Sequence, residues 1–301
     1  MSFPTPDGLV KAVDTVDLQI REGESVSLIG ETGCGKTVLG LSIVRLLQPT
    51  TRVEGRILYQ GRDLLRSGED EMRRVRGKEI SMILQNPNTS LNPVIRVGDQ
   101  ISEAIELHQH LNRSQAWRRA VEMLHSVSIP DPEGRARQYP HQLSGGMRQR
   151  VMIAMGLACE PRLIIADEPT KGLDPGTKLQ IVDLIRRTSY GRSMLVITHD
   201  IGVAEAVSDR IAVMYAGELL EEGPAGSLIS DPLHPYSRGL LSSLPSRGLV
   251  PIPGGSPSLI SPPSGCRFHD RCPLADIRCT RDHPDLSEAE KGRRVRCLRY
   301  S

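Results

Sequence analysis

Short apolar runs alternate along this chain with longer amphipathic stretches. Residues 25–29 read as a compact strand ending at Gly30. After a glycine-rich loop, Val38, Leu39, Leu41, Ile43, Val44, Leu46 and Leu47 are apolar nearly all round, as in a buried helix, and Pro49 closes it. Residues 53–65 predict a strand hairpin and 80–84 a second short strand. From 94 to 127 the pattern turns helical and charged, with Glu103, Glu106, Arg113, Arg118, Arg119 and Glu122 set among apolar residues. Three further strands are predicted at 163–166, 194–198 and 211–214, separated by helical segments. Strands alternating with helices imply an α/β fold around a largely parallel sheet, and the block at about 94–150 reads as an inserted helical subdomain. Composition shifts near Leu228. Between Pro245 and Gly265 six Pro, four Gly and five Ser exclude helix and disfavour sheet, which predicts an extended arm ordered by what it touches. The expected division is therefore 1–228 and 229–301.

Lys and Arg total 38 against 36 Asp and Glu, a net charge of +2 that gives no global reason to expect nucleic-acid binding. No apolar run approaches the roughly 18–20 residues of a membrane-spanning helix. The N-terminal stretch has no basic region leading into an apolar one, so no secretory signal is expected there. These readings place the chain in the cytosol.

Gly30, Glu31, Thr32, Gly33, Cys34, Gly35, Lys36 and Thr37 fit G-x-x-x-x-G-K-[ST] between a predicted strand and a predicted helix, the context this motif requires. Glycines let successive N–H groups turn inward on phosphate oxygens, and the helix N-terminus adds its partial positive charge. Lys36 would reach the β- and γ-phosphates and the Thr37 hydroxyl would ligate Mg²⁺. Cys34 reads as a small loop filler. Further on, four apolar residues, 163–166, run into Asp167 and Glu168. A buried parallel strand delivering carboxylates at its C-terminal end is where α/β sheets place ligand chemistry. Asp167 would hold Mg²⁺, directly or through water, and Glu168 would polarise the water attacking the γ-phosphate. Together the two motifs indicate hydrolysis of a nucleoside triphosphate with Mg²⁺.

Between them, Leu143-Ser144-Gly145-Gly146-Met147-Arg148-Gln149-Arg150 resembles the signature motif of ATP-binding cassette (ABC) proteins. The resemblance implies an ABC-type P-loop nucleotide-binding domain, a RecA-like core with an inserted helical subdomain, followed here by a Pro-rich, Cys-containing C-terminal extension. It also implies that Ser144, Gly145 and Gly146 meet the γ-phosphate of ATP held by a second subunit. Gln85 resembles the family's Q-loop glutamine, which senses Mg²⁺ and water. His199 resembles the switch histidine, and Asp174 in Gly172-Leu173-Asp174 the D-loop aspartate. Phe3 is the candidate to stack on adenine. Two departures from the family pattern are the closeness of Phe3 to the first residue, where relatives have a strand before it, and Lys171-Gly172 where close relatives carry Thr-Ala.

Residues 86–93, NPNTSLNP, and His234-Pro235-Tyr236 followed by the Pro-rich arm resemble the ATPase subunits of oligopeptide, dipeptide and nickel importers. That resemblance implies transmembrane permease subunits, a second ABC ATPase giving a heterodimer, an extracytoplasmic solute-binding protein, no nucleic acid, and a peripheral place on the cytoplasmic face of the membrane. Peptide is the favoured cargo, with nickel or a metal chelate as the alternative. Cys266, Cys272, Cys279 and Cys297 crowd the tail, and a cytosolic setting argues against disulfides. Short Cys-x-x-Cys zinc knuckles are absent. Four thiolates suit a [4Fe–4S] cluster, which similar tails in relatives resemble, while zinc and no ligand at all stay open. A soluble ABC protein working on ribosomes or DNA lacks support, because no second cassette and no long coiled coil interrupt the chain. A catalytically inactive regulatory partner is disfavoured by Glu168, His199 and Gln85 all being present.

Overall fold

The structure is a computed structural model and describes residues 1–300. In chain order, β1 (Ser2–Thr5) and β2 (Gly8–Lys11) form a tight antiparallel hairpin. Strand β3 (Ser25–Ile29) is buried at every residue and leads through the glycine loop into α1 (Lys36–Ile43). That helix stops short of its apolar run, because Arg45 takes a left-handed φ of 53° and breaks it before Leu46. The expected hairpin consists of β4 (Leu58–Tyr59) and β5 (Arg62–Asp63), joined by Gln60 and Gly61, both at positive φ. Next come α2 (Glu69–Val75), β6 (Ile80–Ile83) and the single turn α3 (Pro87–Ser90). The charged amphipathic block forms α4 (Val97–Gln109) and α5 (Arg113–Ser126), the latter opened by a capping box between Asn112 and Gln115. Short α6 (Pro132–Ala136) precedes α7 (Gly145–Leu157), β7 (Leu163–Asp167), α8 (Pro175–Ser189), β8 (Ser193–Ile197), α9 (Ile201–Val207) and β9 (Arg210–Tyr215). The remainder comprises β10 (Glu218–Pro224), α10 (Ala225–Ser230), α11 (Pro235–Ser242), α12 (Ile277–Arg281), β11 (Ser287–Glu290) and β12 (Arg293–Val295).

The chain divides into two compact units. One holds Met1–Ile20, Glu24–Ile57 and everything from Ile197 onward. Its strands run in the order β11-β12-β10-β9-β3, with β3 parallel to β9 and the other neighbours antiparallel. Ile29, Ile211, Val213, Tyr215, Leu220, Leu228, Tyr236 and Phe268 share one core cluster. Each such side chain taken from water stabilises the fold by about 1.5–3 kcal/mol. The tail belongs to this core: Cys266 and Phe268 lie in the same cluster as Ile29 of β3. The division expected at 228/229 falls inside α10, whose Leu228 and Ile229 are both buried. The Pro-rich arm is held where it touches, with Lys11 N–H donating to the Leu259 carbonyl at 2.8 Å and Val250 N–H to that of Ser242 at 3.0 Å.

Strand β10 carries three buried glutamates, Glu218, Glu221 and Glu222. Arginines from the tail meet each of them: Arg267 with Glu218 at 3.1 Å, Arg293 with Glu221 at 3.4 Å, and Arg294 with Glu222 at 2.6 Å. Glu221 also accepts the N–H groups of Leu233 (2.8 Å) and His234 (2.9 Å). Buried carboxylates persist only when matched in this way.

The second unit holds Arg21–Gly23 and Leu58–Val196. Its strands run β8-β7-β6, with β6 and β7 parallel in the register Ile80↔Leu163 to Ile83↔Ala166. Helix α4 packs on α5, burying Ile101, Ile105, Ala116, Ala120 and Leu124. Among the described residues no helix is long and apolar enough to cross a membrane.

Candidate functional site

The loop from Gly30 to Thr37 joins the C-terminal end of β3 to α1 in the first unit. Two of its glycines are required by space as well as by φ. A Cβ on Gly30 (φ 152°) would stand 2.0 Å from the Met214 carbonyl oxygen, and one on Gly35 (φ 108°) 2.0 Å from that of Ala12. Lys36 is buried although charged, and its Nζ donates to the carbonyls of Gly30 (2.8 Å) and Glu31 (2.9 Å). The ammonium therefore lies inside the curve of the loop, at the N-terminus of α1, where the helix dipole adds to its field. Thr32, Gly33 and Thr37 are exposed at the mouth, and Cys34 is buried beside Lys36 at 3.7 Å. Burial pushes the Cys34 thiol pKa up against the pull of Lys36, as expected of a filler.

Phe3 lies in β1, half-buried and paired with Val10. The hairpin leads into Ala12, whose carbonyl roofs Gly35. His199, also in the first unit, is exposed just beyond β8. Its neighbours build a rigid turn: Asp200 N–H donates to Thr198 Oγ1 at 3.0 Å, and Asp200 caps α9 through Val203 N–H at 3.1 Å.

A feature absent from the sequence reading surrounds Glu31. Its carboxylate accepts both guanidinium ends of Arg271, each at 2.9 Å, and contacts the Ser256 hydroxyl, while its N–H donates to the Tyr236 hydroxyl at 3.0 Å. Burial raises the Glu31 carboxyl pKa, but the hydrogen bonds from Arg271 and Ser256 outweigh it and hold the group below the usual carboxylate range.

The second unit gathers the other motif residues. Asp167 ends β7 and Glu168 follows it, both buried, and Glu168 holds a left-handed φ of 47°. A non-glycine residue there costs on the order of 1–3 kcal/mol, a strain typical of working sites. Gln85 is half-buried just after β6, followed by Asn86, which caps α3 by accepting from Asn88 N–H at 3.0 Å. Ser144 and Gly145 are exposed, and the Ser144 hydroxyl caps α7 by accepting from Met147 N–H at 3.3 Å. Asp174 caps α8 through Thr177 N–H at 3.0 Å, and Thr177 holds its carboxyl pKa low. The two capped helices meet closely, since a Cβ on Gly146 would lie 2.7 Å from Thr177 Cγ2. Arg148 of α7 donates to the Asn88 side chain, which ties that helix to the segment after Gln85.

The thiols of Cys266, Cys272, Cys279 and Cys297 line one small pocket together with His234 and His269. Burial pushes the Cys266 thiol up to about 11. Among the described residues no group of three or more His, Cys, Asp or Glu side chains is arranged to hold a metal ion, so the geometry does not carry the cluster expected from the sequence.

Comparison with known proteins gives concordant results. The family model described as ABC transporter matches residues 13–171, and that described as oligopeptide/dipeptide transporter, C-terminal region, matches residues 220–279. The chain is 45% identical to the dipeptide transport ATP-binding protein DppD of Bacillus subtilis (strain 168), over 99% of its own length and 91% of the relative's. It is 40% identical to the oligopeptide transport ATP-binding protein OppD of Escherichia coli (strain K12), over 99% and 90%. Among solved structures it resembles the dimeric post-hydrolysis state of the ATP-binding cassette MJ0796 bound to ADP and Pi. That similarity has a TM-score of 0.67 at 30% identity and covers 74% of this chain and 95% of that one.

Proposed function

The chain belongs to the ABC transporter family, and from that premise we propose that it is the ATP-hydrolysing subunit of an importer for dipeptides or oligopeptides. Permease subunits in the membrane and a solute-binding protein are its partners in such a system. Residues 1–228 serve as the cassette and 229–301 as the extension of the peptide-importer branch, with about 94–150 as the helical subdomain. The peripheral position is the cytoplasmic face.

The observation that carries the reading is the phosphate loop, in which two space-restricted glycines bring a buried lysine to a helix N-terminus. Phe3 stacks on adenine, and the loop amides with Lys36 grip the β- and γ-phosphates of ATP. Thr37, Gln85 and Asp167 are the residues to hold Mg²⁺, an oxygen-donor set of the kind this ion takes. Mg²⁺ bound there would neutralise charge developing on the phosphate oxygens. Glu168 accepts the proton of the attacking water, and His199 donates to the γ-phosphate. Ser144, Gly145, Gly146 and Asp174 face the nucleotide of a second cassette. That cassette is a related ATPase, which makes the pair a heterodimer, and the dimeric form of the structural relative supports two cassettes closing on nucleotide. Hydrolysis separates them and drives the permease.

The experiment is Glu168→Gln in the purified chain. It is expected to bind Mg·ATP and to lose turnover by about 10²–10⁴-fold, the range of a general base. Hydrolysis at the parental rate would remove Glu168 from that role.

For the tail, the proposal of a [4Fe–4S] cluster rests on donor chemistry alone, four thiols at one pocket. Protein purified without air and lacking both iron and acid-labile sulfide would discard it.

A further inference from the structure

Glu31 is the one acidic residue of the phosphate loop. A bare carboxylate there would repel the triphosphate that the loop is read to hold. Arg271 answers it with a two-pronged guanidinium fork, Nη1 to Oε2 and Nη2 to Oε1, both at 2.9 Å. The arginine is itself fixed on every side. Its Nε donates to the Pro253 carbonyl at 2.9 Å, and Nη1 also donates to the Tyr215 hydroxyl at 3.2 Å. The guanidinium lies 5.7 Å from the Tyr215 ring centre and 5.9 Å from that of Phe268, and the side chain is only 7% exposed. The backbone of Glu31 is held as well, since its N–H meets Tyr236 and its carbonyl accepts from Lys36.

Arg271 is delivered by the tail. It ends a short turn between Cys266 and Cys272, in which His269 N–H donates to the Cys266 carbonyl (3.0 Å) and Cys272 N–H to that of His269 (3.2 Å). An element about 240 residues away in sequence therefore fixes both the charge and the path of the loop.

We propose that Arg271 is a positioning residue for nucleotide binding, cancelling the Glu31 charge beside the triphosphate cradle so that the C-terminal tail sets the affinity for ATP. This rests on the reading of residues 30–37 as the triphosphate cradle. The test is calorimetric titration of the full-length chain with Mg·ATP, with melting temperatures taken in parallel. Arg271→Ala is expected to weaken binding about tenfold, the scale of one uncompensated charge at a partly solvated site. Arg271→Ala/Glu31→Gln is expected to recover most of that loss, which no loss of tail packing alone would allow. Glu31→Gln by itself leaves the arginine charge beside the phosphates and is expected to tighten binding. That variant keeps the question answerable if Arg271→Ala does not fold. Unchanged binding by Arg271→Ala, no recovery in the double variant, or weaker binding by Glu31→Gln would each overturn the proposal. Lys36→Ala separates the two readings. If it keeps parental affinity, the cradle itself is misplaced; if it loses binding while Arg271→Ala does not, only the role of Arg271 falls.

Discussion

His234, which the sequence offered only as part of a resemblance, has a physical role in the structure. It is fully buried at the start of α11, and its Nδ1 accepts the Tyr236 N–H at 3.0 Å, so the neutral ring carries its proton on Nε2. Burial pushes its pKa down to about 3. An unfolded histidine titrates near 6.5. Between those values the unfolded chain takes up a proton that the folded one refuses, so stability falls as pH drops through the window and the contribution is complete only above it. His234→Asn keeps a cap acceptor and removes the titration. Urea midpoints measured between about pH 7 and about pH 5 should therefore decline less steeply in the variant than in the parent. Equal slopes would assign the acid sensitivity to other groups.

At the scale of elements, what could be read from the sequence depended on how each strand is buried. Strands β3, β7 and β9 are covered on both faces, so they spell continuous apolar runs and are read correctly. Strand β10 is no less buried, yet it begins Glu-Leu-Leu-Glu-Glu, and the sequence pattern predicted no strand there. Its charges become tolerable through Arg267, Arg293 and Arg294, which lie at least 49 residues further along, and no local pattern announces such a pairing. The same distance in sequence hid the grip of Arg271 on Glu31, whereas the phosphate loop and the Asp167–Glu168 pair are contiguous motifs and were legible. Removing one partner of a buried pair leaves the other uncompensated, at a cost of about 3–5 kcal/mol. Glu221→Ala should lower the unfolding free energy by about that amount, since Arg293 and the N–H groups of Leu233 and His234 all lose their acceptor. Replacing Arg293 by Leu in the same chain should recover part of the loss. A urea denaturation series on the three proteins checks both, and a cost below about 1 kcal/mol for Glu221→Ala would show the pair to be solvated.

For the whole molecule, the exposure of the motif residues divides them into two sets. Lys36, Asp167 and Glu168 are buried, which suits their proposed role toward nucleotide bound to their own chain. Ser144 and Gly145 are exposed at the start of α7, a thirteen-residue helix whose N-terminal field points outward. On the proposed reading, a helix end displayed in this way is open to phosphate brought by another body. In a Glu168→Gln background, Mg·ATP should pair the chain with a second cassette, whether its own copy or a co-purified one. Ser144→Arg should abolish that pairing, because the long side chain occupies the approach, while the affinity of the unpaired chain for Mg·ATP stays within about threefold. Light scattering reads the first result and calorimetry the second. Were Ser144→Arg to cost ATP affinity in the lone chain as heavily as Lys36→Ala, the signature helix would be serving its own phosphate loop, and a two-cassette nucleotide sandwich would be the wrong architecture.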